Sequence, residues 1–149
     1  MLIRPLWIIR NFILRLLNYP AIGARALVVK DDEVLLIRHT YESGWFTIGG
    51  AVDKNETFIA AAIRELKEEV GLTPLQPPML FGVYLNTYFG RDDYIAFYIV
   101  KEFNIEDAHS HEIAEKKWFK MGALPDGISP ATRRRIEEYL GQREKSEKW

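Results

Sequence analysis

The sequence predicts an α/β domain in which a mixed sheet lies between helical layers. Two apolar runs and one helix point to it. Residues 94–100 (YIAFYIV) and 35–37 (LLI) are apolar without interruption, the pattern of strands covered on both faces. Between them, residues 57–70 repeat apolar positions at helical spacing and stop at Gly71. A length of 149 residues suits one domain of ordinary size, and 48% hydrophobic residues supply a sizeable core. A net charge of -1 argues against general nucleic-acid binding, which needs a basic surface. The absence of cysteine removes disulfides, thiolate metal sites and cysteine nucleophiles, and suits a cytoplasmic protein.

The elements follow in chain order. Residues 1–20 form an amphipathic helix ended by Pro20. Arg4, Asn11, Arg15 and Asn18 share a narrow face with Arg10 beside it, and the rest of the surface is apolar. Arginines interrupt it too often for a transmembrane span or a signal peptide. Such a helix calls for a cover, and the expectation is a homodimer. Packing on its own domain and peripheral membrane contact through residues 1–19 are the alternatives, the latter because basic amphipathic helices bind anionic surfaces. Residues 21–149 form the main domain. Gly23 to Lys30 and Glu33 to His39 read as a hairpin around Asp31-Asp32. Thr40 to Gly50 reads as a loop with a short strand at Trp45 to Ile48. Asn55 or Thr57 caps the helix that Gly71 stops. Met79 to Phe89 and Tyr94 to Phe103 are strands around a turn at residues 90–93. Asn104 to His111 is a polar loop, Lys116 to Lys120 a short strand, and Ser129 caps a last helix to about Leu140. The mixed-charge tail beyond it is expected to fray.

The stretch from Gly50 to Leu72 poses a physical question. Glu65, Glu68 and Glu69 stand at i, i+3 and i+4, where like charges repel. Phe58, Ala62, Leu66 and Val70, flanked by Ile59 and Ile63, take the core face. A cluster of carboxylates is the donor set of a hard divalent cation, which offsets the repulsion. Arg64 lies within reach of Glu56 and Glu68.

The full spacing is Gly50, five residues, Glu56, seven residues, Arg64-Glu65-Leu66, one residue, Glu68-Glu69, one residue, Gly71-Leu72. It resembles the Nudix box at every defined position. The resemblance implies a Nudix-like α/β/α sandwich over most of residues 21–140. It implies Mg²⁺ or Mn²⁺ held by the Gly50 carbonyl, Glu68 and Glu69, with Glu65 binding metal or accepting a proton from water. Glu56 and Arg64 would hold the loop against the helix. A further acid from a downstream loop would complete the site, and Glu112 is the candidate, with Glu115 second. Thr47-Ile48 and Asn55 depart from residues common in the family, at positions that are not metal ligands.

The implied activity is hydrolysis of a nucleoside diphosphate linked to another moiety: a nucleotide, nucleotide sugar or dinucleoside polyphosphate. The catalytic set is then Glu65, Glu68, Glu69, Arg64 and Glu112. Arg38 is a candidate phosphate contact, and Tyr41, Trp45 and Tyr88 are candidates to stack on a base. The competing class is a non-catalytic nucleotide-binding sensor, which usually lacks box carboxylates that this chain keeps.

Overall fold

The computed structural model describes residues 3–149, with side chains from residue 5 onward. The expectations for Met1, Leu2 and the Arg4 side chain lie outside the described residues.

Alternation along the strands builds the fold. In β1 (Ala21–Lys30), Ala24, Ala26 and Val28 point to one face of the sheet, and Leu27 and Val29 to the other. In β6 (Arg91–Val100), Ala96, Tyr98 and Val100 join the first group, and Phe97 and Ile99 the second. β2 (Glu33–His39) divides likewise, with Leu35 and Ile37 on the first face and Val34 and Leu36 on the second. The first face is covered by α2 (Phe58–Val70) through Ala61, Ala62, Leu66 and Val70. The second is covered by α3 (Pro130–Tyr139), led by Ile136. The continuous apolar runs are therefore two interleaved sets, one for each helical layer, and the expected α/β/α sandwich is present.

The main sheet has the order β5-β6-β1-β2-β8, with β5 at Met79–Tyr88 and β8 at Ile113–Lys120. It is mixed: β1 and β6 run parallel, and the other pairs are antiparallel. β1 also pairs with β3 (Ile48–Ala51), so Gly49 and Gly50 belong to a strand and not to the loop expected there. Gly49 and Gly50 lie opposite Arg25 and Ala24. β2 takes the far half of the same edge of β1, from Val28 to Lys30. The double glycine thus begins where β2 has parted from β1, beside α2.

Other boundaries moved for local reasons. Thr57 is the cap of α2, accepting from the Ala60 N–H through its hydroxyl. Asn55 instead takes a left-handed backbone with φ 63°, which asparagine tolerates better than most residues. The β5–β6 turn is only Phe89-Gly90, both at positive φ, because Tyr88 pairs with Arg91. Asp92 and Asp93 therefore continue a strand. A two-stranded sheet of β4 (Leu72–Pro74) and β7 (Phe103–Ile105), missed in the sequence, closes the end of α2. On α2 itself, Glu69 joins the buried face, whereas Phe58 and Ile63 are part-exposed, so the core face is turned from the one expected.

The tail does not fray. Glu147 and Trp149 hydrogen-bond Leu85 of β5 along the backbone. Trp149 packs edge-on against Tyr84 and Phe97. Beneath it Arg135 is fully buried, with its guanidinium 4.0 Å from the Tyr84 ring centroid and 2.9 Å from a Glu138 oxygen. Arg135 also donates to the Lys148 carbonyl, and Tyr84 Oη donates to Glu138. A charge so deep needs every partner, and the tail supplies one.

Helix α1 spans Ile3–Leu16, and Asn18, at φ 54°, ends it before Pro20. Among the described residues no helix is long and apolar enough to cross a membrane.

Candidate active site

The site assembles where β3 meets α2. Arg64 is its organiser. Its Nε and Nη2 donate to the two carboxylate oxygens of Glu56 at 2.8 and 2.9 Å. Its Nη1 donates to Glu65 at 2.8 Å and to Glu68 at 3.4 Å, and Nη2 also reaches the Ala51 carbonyl at 3.0 Å. One guanidinium thus ties the loop before α2, two carboxylates of α2 and the end of β3 together. The hydrogen bonds from Arg64, and then one from the Asp53 N–H, hold Glu56 down at about pKa 2.

Glu69 lies on the other side of this cluster and is buried, 6% exposed. It accepts from the Gly49 N–H at 3.0 Å. Burial pushes its carboxyl up to about 8, against the lowering effect of that hydrogen bond, and the charge of Glu65 adds to the rise. Burial also raises Glu65, while Arg64 opposes it. Glu68 is exposed. Gly50 lets the Glu65 carboxylate stand close: an added Cβ would lie 2.5 Å from Glu65 Oε1 and would have to displace it.

Among the described residues no three acidic or histidine side chains already converge on one point at metal-binding distance. The donor chemistry nonetheless fits a hard cation. Glu65 and Glu69 hold their protons more tightly than usual despite Arg64 and Arg25, so a cation placed between them would be favoured, and the oxygen-only set suits Mg²⁺ or Mn²⁺. Glu65, Glu68, Glu69 and the Gly50 carbonyl would hold it.

The other candidates divide. Glu112 is exposed at the start of β8, and its charge is felt by Glu65, Glu69, Tyr41 and His39. Glu115 instead pairs with Arg38 at 3.4 Å. Tyr41 is 64% exposed, stacks on His39 at 4.8 Å, and feels the charges of Glu112 and Glu69. Trp45 is drawn away from the carboxylates. It packs edge-on to Phe119 in the α3-side cluster, with Arg38 at 5.6 Å over its ring. Tyr88 sits at the tip of the β5–β6 hairpin beside Phe89 and Arg91.

Two features escaped the sequence reading. Arg25 on β1 donates to the Thr47 carbonyl at 3.2 Å, and its charge lowers Glu69 and His39. An arginine inside the apolar strand GARALVV was the available signal. A cleft of about 230 Å³ also opens beside Glu69, walled by residues 107–110 and by Ile113 to Lys116.

The box geometry and the sandwich carry a family assignment. The family model for the NUDIX domain matches residues 19–139. The chain belongs to the Nudix family. The ADP-ribose pyrophosphatase of Methanocaldococcus jannaschii is 40% identical over 73 residues, covering 47% of this chain and 43% of its own. The chain thus spans less than half the length of that relative. A protein of Bacillus subtilis provisionally named as an 8-oxo-dGTP diphosphatase is 29% identical over 118 residues, 78% of each chain. The solved MutT Nudix hydrolase from Burkholderia pseudomallei superposes with a TM-score of 0.71 at 26% identity, over 79% of this chain and 96% of that one.

Proposed function

We propose that this Nudix domain is a divalent-cation-dependent hydrolase that cleaves the diphosphate linkage of a nucleoside diphosphate joined to another moiety. The observation that carries the reading is the cluster itself: Arg64 holding Glu56, Glu65 and Glu68, with Glu69 buried beneath Gly49. A bound Mg²⁺ or Mn²⁺ would neutralise charge on the diphosphate oxygens. The residues do the rest. Arg64 fixes the Glu65 carboxylate beside Gly50, where it can accept the proton lost by an attacking water. Glu69 is held in place by the Gly49 N–H, so its oxygens need no reorganisation. Glu112 supplies a further carboxylate from the β8 side, and the cleft beside Glu69 takes part of the substrate. Tyr41, exposed next to these acids, offers a face for a base.

The relatives' names put ADP-ribose and 8-oxo-dGTP at the head of a substrate panel, followed by nucleotide sugars, dinucleoside polyphosphates and capped RNA ends. Released phosphate or nucleoside monophosphate is measured with Mg²⁺ and with EDTA. Turnover that EDTA abolishes is expected. Turnover unchanged by EDTA sinks the metal requirement, and tight nucleotide binding without turnover favours a sensor. Glu112→Ala is expected to weaken Mn²⁺ affinity and lower the rate, and Glu115→Ala to do neither. The reverse result would move the role to Glu115.

A further inference from the structure

Helix α1 turns its narrow polar stripe to the domain. Its buried residue is the polar Asn11, which accepts a hydrogen bond from Arg91 of β6 at 3.3 Å. Trp7 packs edge-on to Phe89 of the hairpin tip, with centroids 4.7 Å apart, and Arg91 also donates to the Tyr19 carbonyl. Leu6, Ile9, Phe12, Ile13, Leu16 and Leu17 face outward, each between 48% and 70% exposed. At about 3.6 residues per turn, Arg10 and Arg15 fall on the two borders between this face and the domain-facing stripe. Among the described residues neither arginine takes part in an ion pair, and the Arg15 guanidinium lies against Gly90 at the hairpin tip. No acidic residue occurs before Asp31.

We propose that α1 is a peripheral anchor that seats its outward apolar face in the headgroup layer of an anionic lipid surface, with Arg10 on one border and Arg15, beside the hairpin tip, on the other supplying positive charge towards lipid phosphates. The arrangement is that of an interfacial helix: apolar towards the acyl boundary, cationic at the flanks, with the folded domain on the water side. Charge decides against a second copy of the chain as the cover. Two such helices packed about a two-fold axis would bring their arginine borders together, and the helix has no acid to pair with them. An anionic surface supplies the missing charge. The inference does not depend on the hydrolase reading.

The test is flotation of the full-length protein with vesicles of phosphatidylcholine and phosphatidylglycerol, and with vesicles of phosphatidylcholine alone. Light scattering reports the oligomeric state without lipid. Binding to the anionic vesicles alone is expected, weakened about fivefold by Arg10→Gln and again by Arg15→Gln. Phe12→Ser with Ile13→Ser, at exposed positions that fold does not require, should weaken it at least tenfold. No binding to anionic vesicles, or binding that these substitutions leave unchanged, overturns the proposal. So does a lipid-free dimer that Phe12→Ser with Ile13→Ser converts to monomer, which would assign the face to a second copy.

Discussion

Replacing Gly50 by alanine should separate catalysis from folding. The new Cβ would lie 2.5 Å from Glu65 Oε1 and 2.8 Å from Cδ, well inside ordinary contact. Glu65 cannot swing away freely, because Arg64 holds the same oxygen at 2.8 Å and is itself tied to Glu56. The backbone at Gly50 is not in the left-handed region, so the cost is steric and local. Relief needs a carboxylate shift on the order of 1 Å, and a misplacement of that size costs about a hundredfold in rate. Overpacking of this kind destabilises by about 1–3 kcal/mol. The expected result is kcat lowered about a hundredfold and Tm lowered by roughly 2–10 °C, with the fold retained. The assay pairs initial rates on the best substrate of the panel with thermal unfolding of the same preparation. Gly122→Ala is the control, since nothing lies within 4 Å of a Cβ there. Wild-type kcat in Gly50→Ala would refute the claim that the position of the Glu65 carboxylate governs the rate.

Two further outcomes test burial directly. The folded carboxyl of Glu69 sits at about 8 against an ordinary 4.5, so the stability it allows is complete below about pH 4.5 and is lost as pH rises towards 8. In EDTA at pH 8, Glu69→Gln should therefore be more stable than wild type by a few kcal/mol, with little gain near pH 5. Its rate with Mg²⁺ should fall about a hundredfold or more. Equal pH dependence of Tm in the two proteins would show that Glu69 is not desolvated. Trp149→Ala should lower stability by about 3–5 kcal/mol, because it strips the cover from the buried Arg135. Chemical denaturation measures this, and a loss below about 1 kcal/mol would mean that the tail only decorates β5.

Much of the site was legible because its signals are local. A helix cap needs one polar side chain and three residues, so the sequence narrowed the cap to Asn55 or Thr57, of which the structure takes Thr57, and placed Gly71 at the other end. Charges at i, i+3 and i+4 must share a helix face, so Glu65, Glu68 and Glu69 had to be neighbours. Arg64 is near enough in the chain to reach Glu56 and Glu68, and it does. The two apolar runs named the central strands, since a strand coated on both faces cannot alternate. Strand ends were less legible. A two-residue turn and a four-residue turn look alike in GRDD until the partner strand sets the register.

By itself the sequence determined the two main helices and the long strands, the order of the box and the chemistry of its donors, all of which depend on neighbours within a few turns of chain. It did not determine the short strands β3, β4 and β7, which exist only through their distant partners. Only the tertiary structure decided which of three similar glutamates is buried most deeply. Glu69 is buried because Gly49 is drawn into a strand against β1 and then donates to it from 20 residues away in sequence. The same long-range packing placed Arg25 near the acids, and turned Trp45 to the opposite side of the sheet. It also laid the charged tail along β5, where Arg135 takes the Lys148 carbonyl. Nor could periodicity alone say which side of α1 would face the domain. The apolar face was plain in the sequence, but Arg91 on the distant hairpin takes Asn11 and leaves that face outward. Charge and spacing travel with the chain, whereas burial is a property of what another segment brings against it.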